Sequence, residues 1–172
     1  MRLVKISFFE MKKKKEKVSL DATDRKILHY LQRDASLTIK EIAEKVHLSP
    51  TPCWKRIQRM ENDGVIRARV ALLDPEKVDA NVTVFIAIKT DQHNTAWSEK
   101  FAFEMSSIPQ IMEVYRMSGE VDYLLKVAVS DIAAFDDLYK EIIDRVALSN
   151  VTSSFAIEQM KYTTELPVAQ DI

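Results

Sequence analysis

Residues 48–64 have the sequence LSPTPCWKRIQRMENDG, a stretch with helix signals at both of its ends. Ser49 is a favourable N-cap whose side chain is expected to accept a hydrogen bond from the first helical turn. Pro50 and Pro52 suit that turn, because its amides have no intrahelical partner. Gly64 stands where a helix often ends in a left-handed residue. The stretch therefore predicts a short helix with both ends fixed locally.

The predicted helix has two different faces. Cys53, Ile57 and Met60 recur with helical spacing and form an apolar face. Because Cys53 lies on this face, we expect it to pack in the core rather than to act as a thiol sensor. The opposite face carries cations and an aromatic ring: Trp54, Lys55, Gln58 and Arg59. A capped helix with these two faces favours insertion into a DNA groove.

Charge is divided unevenly between the two halves of the chain. Residues 1–73 contain 17 Lys and Arg against 9 Asp and Glu, whereas residues 74–172 contain 8 against 17. This asymmetry indicates a polyanion-binding half joined to an acidic half, although two solvated surfaces of opposite sign would give the same counts. The chain has one cysteine and therefore no intrachain disulfide, and no apolar run approaches the roughly 18 residues of a membrane span. We expect a cytoplasmic protein without a membrane partner.

The first residues are basic. Residues 1–10 lack the features of a signal peptide, and Met11 directly precedes the lysine-rich run of residues 12–17. We expect translation to start at Met11, so that residues 1–10 are a non-native extension. Residues 1–19 are predicted to form a flexible basic arm, either touching phosphates or solvated without a specific role.

Two further helices are predicted before residues 48–64. The first is expected to end near Asp34, and three apolar residues mark its inner face: Ile27, Leu28 and Leu31. Thr38 and Glu41 form a capping box at the start of the second helix. Three short helices joined by tight turns indicate a helix-turn-helix.

A wing-like strand is predicted directly after the third helix. Residues 65–73 alternate in part and are rich in β-branched residues, and they carry Arg67 and Arg69. The predicted DNA-binding domain therefore spans residues 20–73. A hinge over residues 74–81 follows it.

Residues 82–165 follow a different pattern, in which runs of strand length alternate with helical spacing. The order is β-α-β-β-α-β, which is typical of a ferredoxin-like domain, and residues 166–172 are a predicted tail. The fold class is therefore α+β, a winged helix-turn-helix followed by a βαββαβ domain. The first strand, residues 82–89, is apolar on both sides, so we expect another subunit to cover the open face of the sheet.

The chain from about Leu20 to Thr164 resembles the Lrp/AsnC, or feast/famine, family of transcription regulators. The resemblance rests on the motifs Leu48-Ser49-Pro50-Thr51-Pro52-Cys53, Gly64-Val65-Ile66 and Ser118-Gly119-Glu120 with Asp122-Tyr123. It implies a RAM-type second domain that senses an amino acid, major-groove insertion of the third helix, and dimers, tetramers or octamers. Two positions depart from the family: His47 replaces a glycine in the turn, and Glu120 replaces an aspartate.

The third helix carries most of the residues expected to contact double-stranded DNA. Lys55 and Arg59 are long enough to reach phosphates or guanine. Thr51 can pair with a base edge, and Trp54 can cover a thymine methyl group. For Arg56, anchoring against an acidic residue of the third or first helix is the alternative. The predicted DNA-contacting residues are Thr38, Ser49, Thr51, Pro52, Trp54, Lys55, Arg56, Arg59 and Arg67.

The loop over residues 118–123 is the expected effector site, because the resemblance implies that an amino acid binds there between subunits. Glu120 and Asp122 suit an ammonium group, while turn amides and the Ser118 hydroxyl suit a carboxylate. A plain hairpin turn with solvated acids and a packed Tyr123 is the alternative. The predicted effector-binding residues are Ser118, Gly119, Glu120, Asp122, Tyr123, Thr152 and Ser154. Likeness to a cysteine-responsive branch suggests cysteine, with leucine as the other expectation.

Catalytic and metal-binding roles are not supported by the spacing. Three scattered histidines and one cysteine match no zinc pattern, and two glycines cannot form a glycine-rich phosphate loop. We therefore expect no cofactor and no enzyme, which makes a metabolic enzyme on the βαββαβ domain a weak alternative. The stronger alternative is a nucleoid-associated protein of the same fold that organises DNA with little sequence specificity.

Overall fold

The structure is a computed structural model that describes residues 18–168. Most of the predicted basic arm, including the proposed extension over residues 1–10, lies outside the described residues. Residues 169–172 of the predicted tail lie outside them as well.

Three helices form the first of two compact units, which comprises the described residues up to 71 together with 161–168. The helices are α1 (Ala22–Arg33), α2 (Ile39–Lys45) and α3 (Pro50–Asn62). Capping boxes begin α1 and α2, the second of them at the predicted pair Thr38 and Glu41. The core confirms the predicted apolar faces and contains Ile27, Leu31, Ile42, Ala43, Val46, Cys53, Ile57 and Met60.

Left-handed residues end both α2 and α3. His47 has φ 56° and Gly64 has φ 70°. After α3, the amide of Val65 donates to the carbonyl of Met60 at 2.9 Å, which closes a Schellman motif. The amide of Leu48 closes the same motif after α2. His47 adopts this conformation with a Cβ, so the departure from glycine leaves the turn intact.

The start of α3 differs from the prediction. Ser49 is the N-cap residue, but its side chain makes no capping hydrogen bond. A capping side chain reaches the amides of the second or third helical residue, and the third residue, Pro52, has no amide hydrogen. The two prolines and the preceding turn therefore define this helix start without help from the Ser49 hydroxyl.

The predicted wing strand is wrong in this structure. Residues 67–74 have no regular secondary structure, although Val65 and Ile66 pack against the helical core. A strand needs a neighbour to pair with its backbone, and the first unit, as far as it is described, contains no other strand. Arg67 and Arg69 therefore lie on an irregular segment, with Arg69 paired to Glu61 at 2.9 Å.

The second unit, residues 72–160, confirms the predicted βαββαβ order. Its 3-10 helix (Pro75–Lys77) lies in the predicted hinge. Asp74 is the N-cap of this helix, and its side chain accepts a hydrogen bond from the Glu76 amide. The strands are β1 (Val82–Lys89), β2 (Ile111–Arg116), β3 (Tyr123–Val129) and β4 (Asn150–Phe155). The helices are α4 (Thr95–Ser107) and α5 (Ile132–Arg145). All paired strands are antiparallel, in the order β2-β3-β1-β4.

The two faces of this sheet differ. Val84, Ile86 and Ile88 of β1 are fully buried and share a core with residues of α4 and α5. The alternate positions form the other face, where Phe85 remains 38% exposed and Tyr115 remains 49% exposed. The chain by itself therefore leaves one face of the sheet open, as the alternation in β1 predicted.

The sequence pattern predicts a last strand over residues 151–160, but strand β4 is shorter. It ends at Phe155, which pairs with Val84, and the last contact is the Ala156 amide to the Thr83 carbonyl at 2.9 Å. Because β1 begins at Val82, residues 156–160 have almost no strand left to pair with.

Residues 161–168 belong to the first unit, whereas the predicted second domain extended to residue 165. The Gln32 amide exchanges two hydrogen bonds with the backbone of Leu166, at 3.1 and 3.0 Å. Arg33 pairs with Glu165 at 2.8 Å. These contacts between distant residues carry no local sequence signal.

We expect Phe101→Ala to destabilise the second unit strongly, because Phe101 is fully buried and stacks on Trp97. Urea unfolding should show a loss of about 3–5 kcal/mol in the free energy of unfolding. Phe103→Ala is the matched control on the same helix, since Phe103 is 71% exposed, and it should cost less than about 0.5 kcal/mol. Equal losses for the two variants would contradict this packing.

Candidate DNA interface and effector site

The outer face of α3 presents a continuous stripe of side chains. Thr51, Trp54 and Lys55 are exposed and Gln58 is half-buried, and their spacing of three to four residues places them on one face. The Trp54 ring is 48% exposed. An open hollow of about 220 Å³ lies beside it, lined by Ile39, Pro50, Thr51 and Trp54. The stripe combines a hydroxyl, an indole, an amide and an ammonium group, which are all groups that recognise DNA.

Arg56 and Arg59 do not extend freely from α3, because both contact Asp24 of α1. The Arg56 guanidinium donates to Asp24 at 2.8 Å and to Asp21 at 2.6 Å. Arg59 donates to the other oxygen of Asp24 at 2.5 Å. The anchoring alternative stated for Arg56 is thus confirmed. The pairing of Arg59 was not foreseen, and its contact with DNA stays a prediction.

Electrostatics within this cluster favour the charged forms of both partners. The Asp24 amide and then the Arg56 guanidinium lower the pKa of Asp21. Hydrogen bonds from Arg56 to Asp21 and Asp24 raise the pKa of the guanidinium. The hydrogen bonds between Arg56 and Asp21 therefore stabilise the ionised forms of these two residues.

Four other residues expected near DNA are also exposed. Thr38 is the N-cap of α2, and its hydroxyl donates to Glu41 at 2.7 Å. Hydrogen bonds from Thr38 lower the pKa of Glu41. Ser49 and Pro52 are exposed at the start of α3. Arg67 is exposed on the segment after α3, in place of the predicted wing strand.

The loop between β2 and β3 holds four of the predicted effector residues, Ser118, Gly119, Glu120 and Asp122. Gly119 has φ 125°, a backbone conformation that residues with a side chain rarely adopt. Glu120 is exposed and pairs with Lys89 at 2.8 Å. Asp122 is fixed more firmly, because one carboxylate oxygen accepts from the Thr90 amide at 2.8 Å and its own amide donates to the Ile88 carbonyl at 3.0 Å.

A cavity of about 210 Å³ opens beside this loop, on the side of the sheet that carries the helices. Asp122 and Tyr123 line it, whereas Ser118, Gly119 and Glu120 do not. Sequence reasoning missed its other lining residues, which come from the segment before α4, from α4 and from β2: Gln92, His93, Asn94, Thr95, Ser98, Glu99, Arg116 and Met117. The N-cap signal at Asn94 marks the start of α4, but nothing local places it beside Arg116.

Tyr123 and the cap of α4 shape the cavity. Tyr123 is buried against Trp97 and Phe101, and its hydroxyl donates to Ser98 at 3.1 Å. The packed tyrosine foreseen in the hairpin alternative is therefore present. Asn94 accepts from the Trp97 amide at 2.8 Å, which leaves other amides of the first turn without an intrahelical partner.

Thr152 and Ser154 do not line this cavity within one chain, so their contribution from a second side of the effector site stays a prediction. In the sheet, Thr152 pairs with Ala87 and Ser154 pairs with Phe85, while Tyr123 pairs with Ile88. Because successive residues of β1 face opposite sides, the two hydroxyls lie on the open face of the sheet.

The described residues contain no group of three or more His, Cys, Asp or Glu side chains arranged to hold a metal ion. Among them, no helix has the length and apolar character needed to span a membrane.

Comparison with known proteins identifies the family. Residues 83–166 match the Lrp/AsnC ligand binding domain, and residues 20–67 match a winged helix-turn-helix DNA-binding domain. Over 150 residues the chain is 47% identical to the DNA-binding transcriptional activator DecR of Escherichia coli K12, covering 87% of this chain and 99% of that protein. The chain belongs to the Lrp/AsnC family.

Solved structures of Lrp/AsnC proteins agree with the fold. An AsnC family transcriptional regulator from Agrobacterium tumefaciens has 56% identity and a TM-score of 0.84, with coverage of 87% of this chain and 97% of that one. A transcriptional regulator of Neisseria meningitidis, solved in complex with L-methionine, has 34% identity, a TM-score of 0.81 and the same coverage. This Lrp/AsnC protein is a DNA-binding transcription regulator and not an enzyme, and the DNA-organising alternative is not favoured.

We expect Cys53 to be unreactive in the folded protein, because it is fully buried and burial raises the pKa of its thiol. Native protein mixed with DTNB should release almost no thionitrobenzoate over minutes, while protein in guanidinium chloride should release one equivalent at once. Rapid release from the native protein would contradict the core position.

Proposed function

We propose that the outer stripe of α3 reads base edges in the major groove. Lys55 contacts a phosphate or guanine, Thr51 a base edge and Trp54 a thymine methyl group. One observation carries this proposal: Thr51, Trp54 and Lys55 are exposed on α3 and make no ion pair within the described residues, while both arginines of the helix are paired with Asp24.

The surrounding residues position the stripe in this proposal. Thr38, Ser49, Pro52 and Arg67 lie near the phosphates that flank the groove, where contacts fix register without specifying sequence. Arg56 and Arg59 act first as anchors of α3 on α1, a change from the base- or phosphate-contacting role expected for Arg59.

We propose that the regulator is a dimer, formed across the open face of the four-stranded sheet. Phe85 and Tyr115 are exposed there, and the ion pair of Lys126 with Glu113 at 3.1 Å satisfies the charges beside them. A second copy would remove these rings from water. A dimer presents two α3 helices to half-sites one helical turn apart, or a multiple of it, and dimers can assemble further into tetramers or octamers. Such a regulator acts in the cytoplasm, at the nucleoid.

We propose that the cavity beside the β2–β3 loop receives the effector, an α-amino acid. The Arg116 side chain lines the cavity and makes no hydrogen bond or ion pair within the described residues. Its guanidinium group, together with first-turn amides of α4, suits the ligand carboxylate. The second oxygen of Asp122 suits the ammonium group. Methionine, the ligand in the Neisseria relative, is tested first, with cysteine and leucine beside it. The effector controls DNA binding only if it binds one assembly better than another.

Lys55→Ala tests whether the outer stripe of α3 contacts DNA. Loss of one phosphate contact should lower the slope of log affinity against log salt by about 0.9 and weaken binding about eightfold near 0.1 M salt. Lys26→Ala is the control, because Lys26 is exposed on α1 and carries the same charge. Fluorescence anisotropy on a duplex selected by the wild-type protein measures both. Identical slopes for the two variants would refute the assignment of Lys55.

A thermal-shift screen of the twenty amino acids tests the effector site. A ligand at a hundredfold excess over its Kd stabilises the protein by about 2.7 kcal/mol, which raises the Tm by about 5–10 °C. Arg116→Ala should abolish the shift, whereas Lys100→Ala, which removes an exposed cation of α4 outside the cavity, should preserve it. A shift that survives in Arg116→Ala would place the ligand elsewhere.

A further inference from the structure

The carboxylate of Asp24 is the most completely buried acidic group in the described part of the chain. It lies at the third position of α1 and is 1% exposed. Its oxygens accept from three donors: the Asp21 amide at 3.1 Å, Arg56 at 2.8 Å and Arg59 at 2.5 Å. Two of the three donors belong to α3, so a residue of the first helix controls the cations of the third.

A buried carboxylate is costly unless it is paired, so Asp24 requires its arginines. The arginines depend on Asp24 less strictly, because their side chains remain 30% exposed for Arg56 and 47% exposed for Arg59. Together with Asp21 they form a cluster without net charge. The domain thus keeps two guanidinium groups at the flank of its reading helix but neutralises both within the protein.

This neutralisation matters for DNA recognition. Guanidinium groups bind phosphate strongly, and each additional phosphate contact raises affinity for every DNA sequence alike. A free Arg59 next to the stripe would therefore strengthen binding to random DNA without improving discrimination between sequences. Specificity depends on the ratio of the two affinities, so a cation withheld from the backbone can increase it.

We propose that Asp24 is a specificity-determining residue, which withholds Arg59 from the DNA backbone, while Arg56 is also held by Asp21. Sequence discrimination then rests on Thr51, Trp54 and Lys55. The proposal depends on the assignment of α3 as the reading helix. In this account Asp24 never touches DNA and acts only as a positioning residue through the two arginines.

Asp24→Asn tests this proposal, because it keeps the shape of the side chain and removes its charge. On a random-sequence duplex we expect the salt slope to steepen by about 0.9 and the affinity near 0.1 M salt to rise about eightfold, as Arg59 reaches a phosphate. The affinity ratio between a duplex selected by the wild-type protein and the random duplex should fall. Circular dichroism and the Tm show whether the variant is folded.

The double variant Asp24→Asn/Arg59→Gln identifies the released cation, because it should return the slope to the wild-type value. Asp63→Asn is the matched control for net charge, since Asp63 is exposed at the end of α3 and pairs with no arginine among the described residues. It should leave the slope unchanged. A mere structural role for Asp24 would lower affinity for both duplexes and would not be reversed by removing Arg59.

Arg59→Gln alone decides the question if Asp24→Asn does not fold. The proposal requires that this variant keep the wild-type slope on random DNA. A slope lower by about 0.9 would show that Arg59 already neutralises a phosphate, and this result would overturn the proposal. An unchanged slope in folded Asp24→Asn would overturn the proposal as well. Failure of the reading-helix assignment is a separate result, because it appears as an unchanged slope in Lys55→Ala.

Discussion

One buried carboxylate, Asp24, pairs with two guanidinium groups and ties α3, the helix that we propose reads DNA, to α1. Asp24 lies 32 residues before Arg56 in sequence, and the hydrogen bond between them is 2.8 Å. Removing the acid would free Arg59, since Arg56 keeps its pair with Asp21, whereas removing an arginine would leave a buried charge undercompensated. The apolar core holds α3 against α1 and α2, but packing is non-directional. Burial of Cys53, Ile57 and Met60 determines which side of α3 faces outward, and the ion pairs with Asp24 add directional contacts between α3 and α1.

Local chemistry explains why much of the structure could be predicted. The capping box at Thr38, the proline-rich start of α3 and the glycine at its end each act within a few residues. Alternation of apolar residues likewise gave β1 its limits, Val82–Lys89, and its two faces. These features depend on backbone geometry that is the same in every protein, so the helix order and the βαββαβ order followed from sequence.

The errors arose where structure depends on a distant partner. Residues 65–73 have the composition of a strand, but no strand among the described residues pairs with their backbone. The last strand stops at Phe155 because β1 has no further residues to pair with it. The side chain of Gln32 binds the backbone of Leu166, a contact between residues far apart in sequence. Thr152 and Ser154 lie across the sheet from the cavity within one chain, so any role for them in effector binding depends on a second subunit. The cavity beside Arg116 is assembled from three separate segments, and only Asp122 and Tyr123 among its lining residues belonged to a recognisable motif.

Methylation interference on a duplex selected by the wild-type protein tests the central claim most directly, because it reports which groove α3 enters. We expect methylation of guanine N7, in the major groove, to block binding in two patches related by a dyad and separated by one helical turn or a multiple of it. Adenine N3 methylation, in the minor groove, should leave the same positions unaffected. A single asymmetric patch, or interference confined to adenine N3, would contradict a dimer that reads DNA with α3.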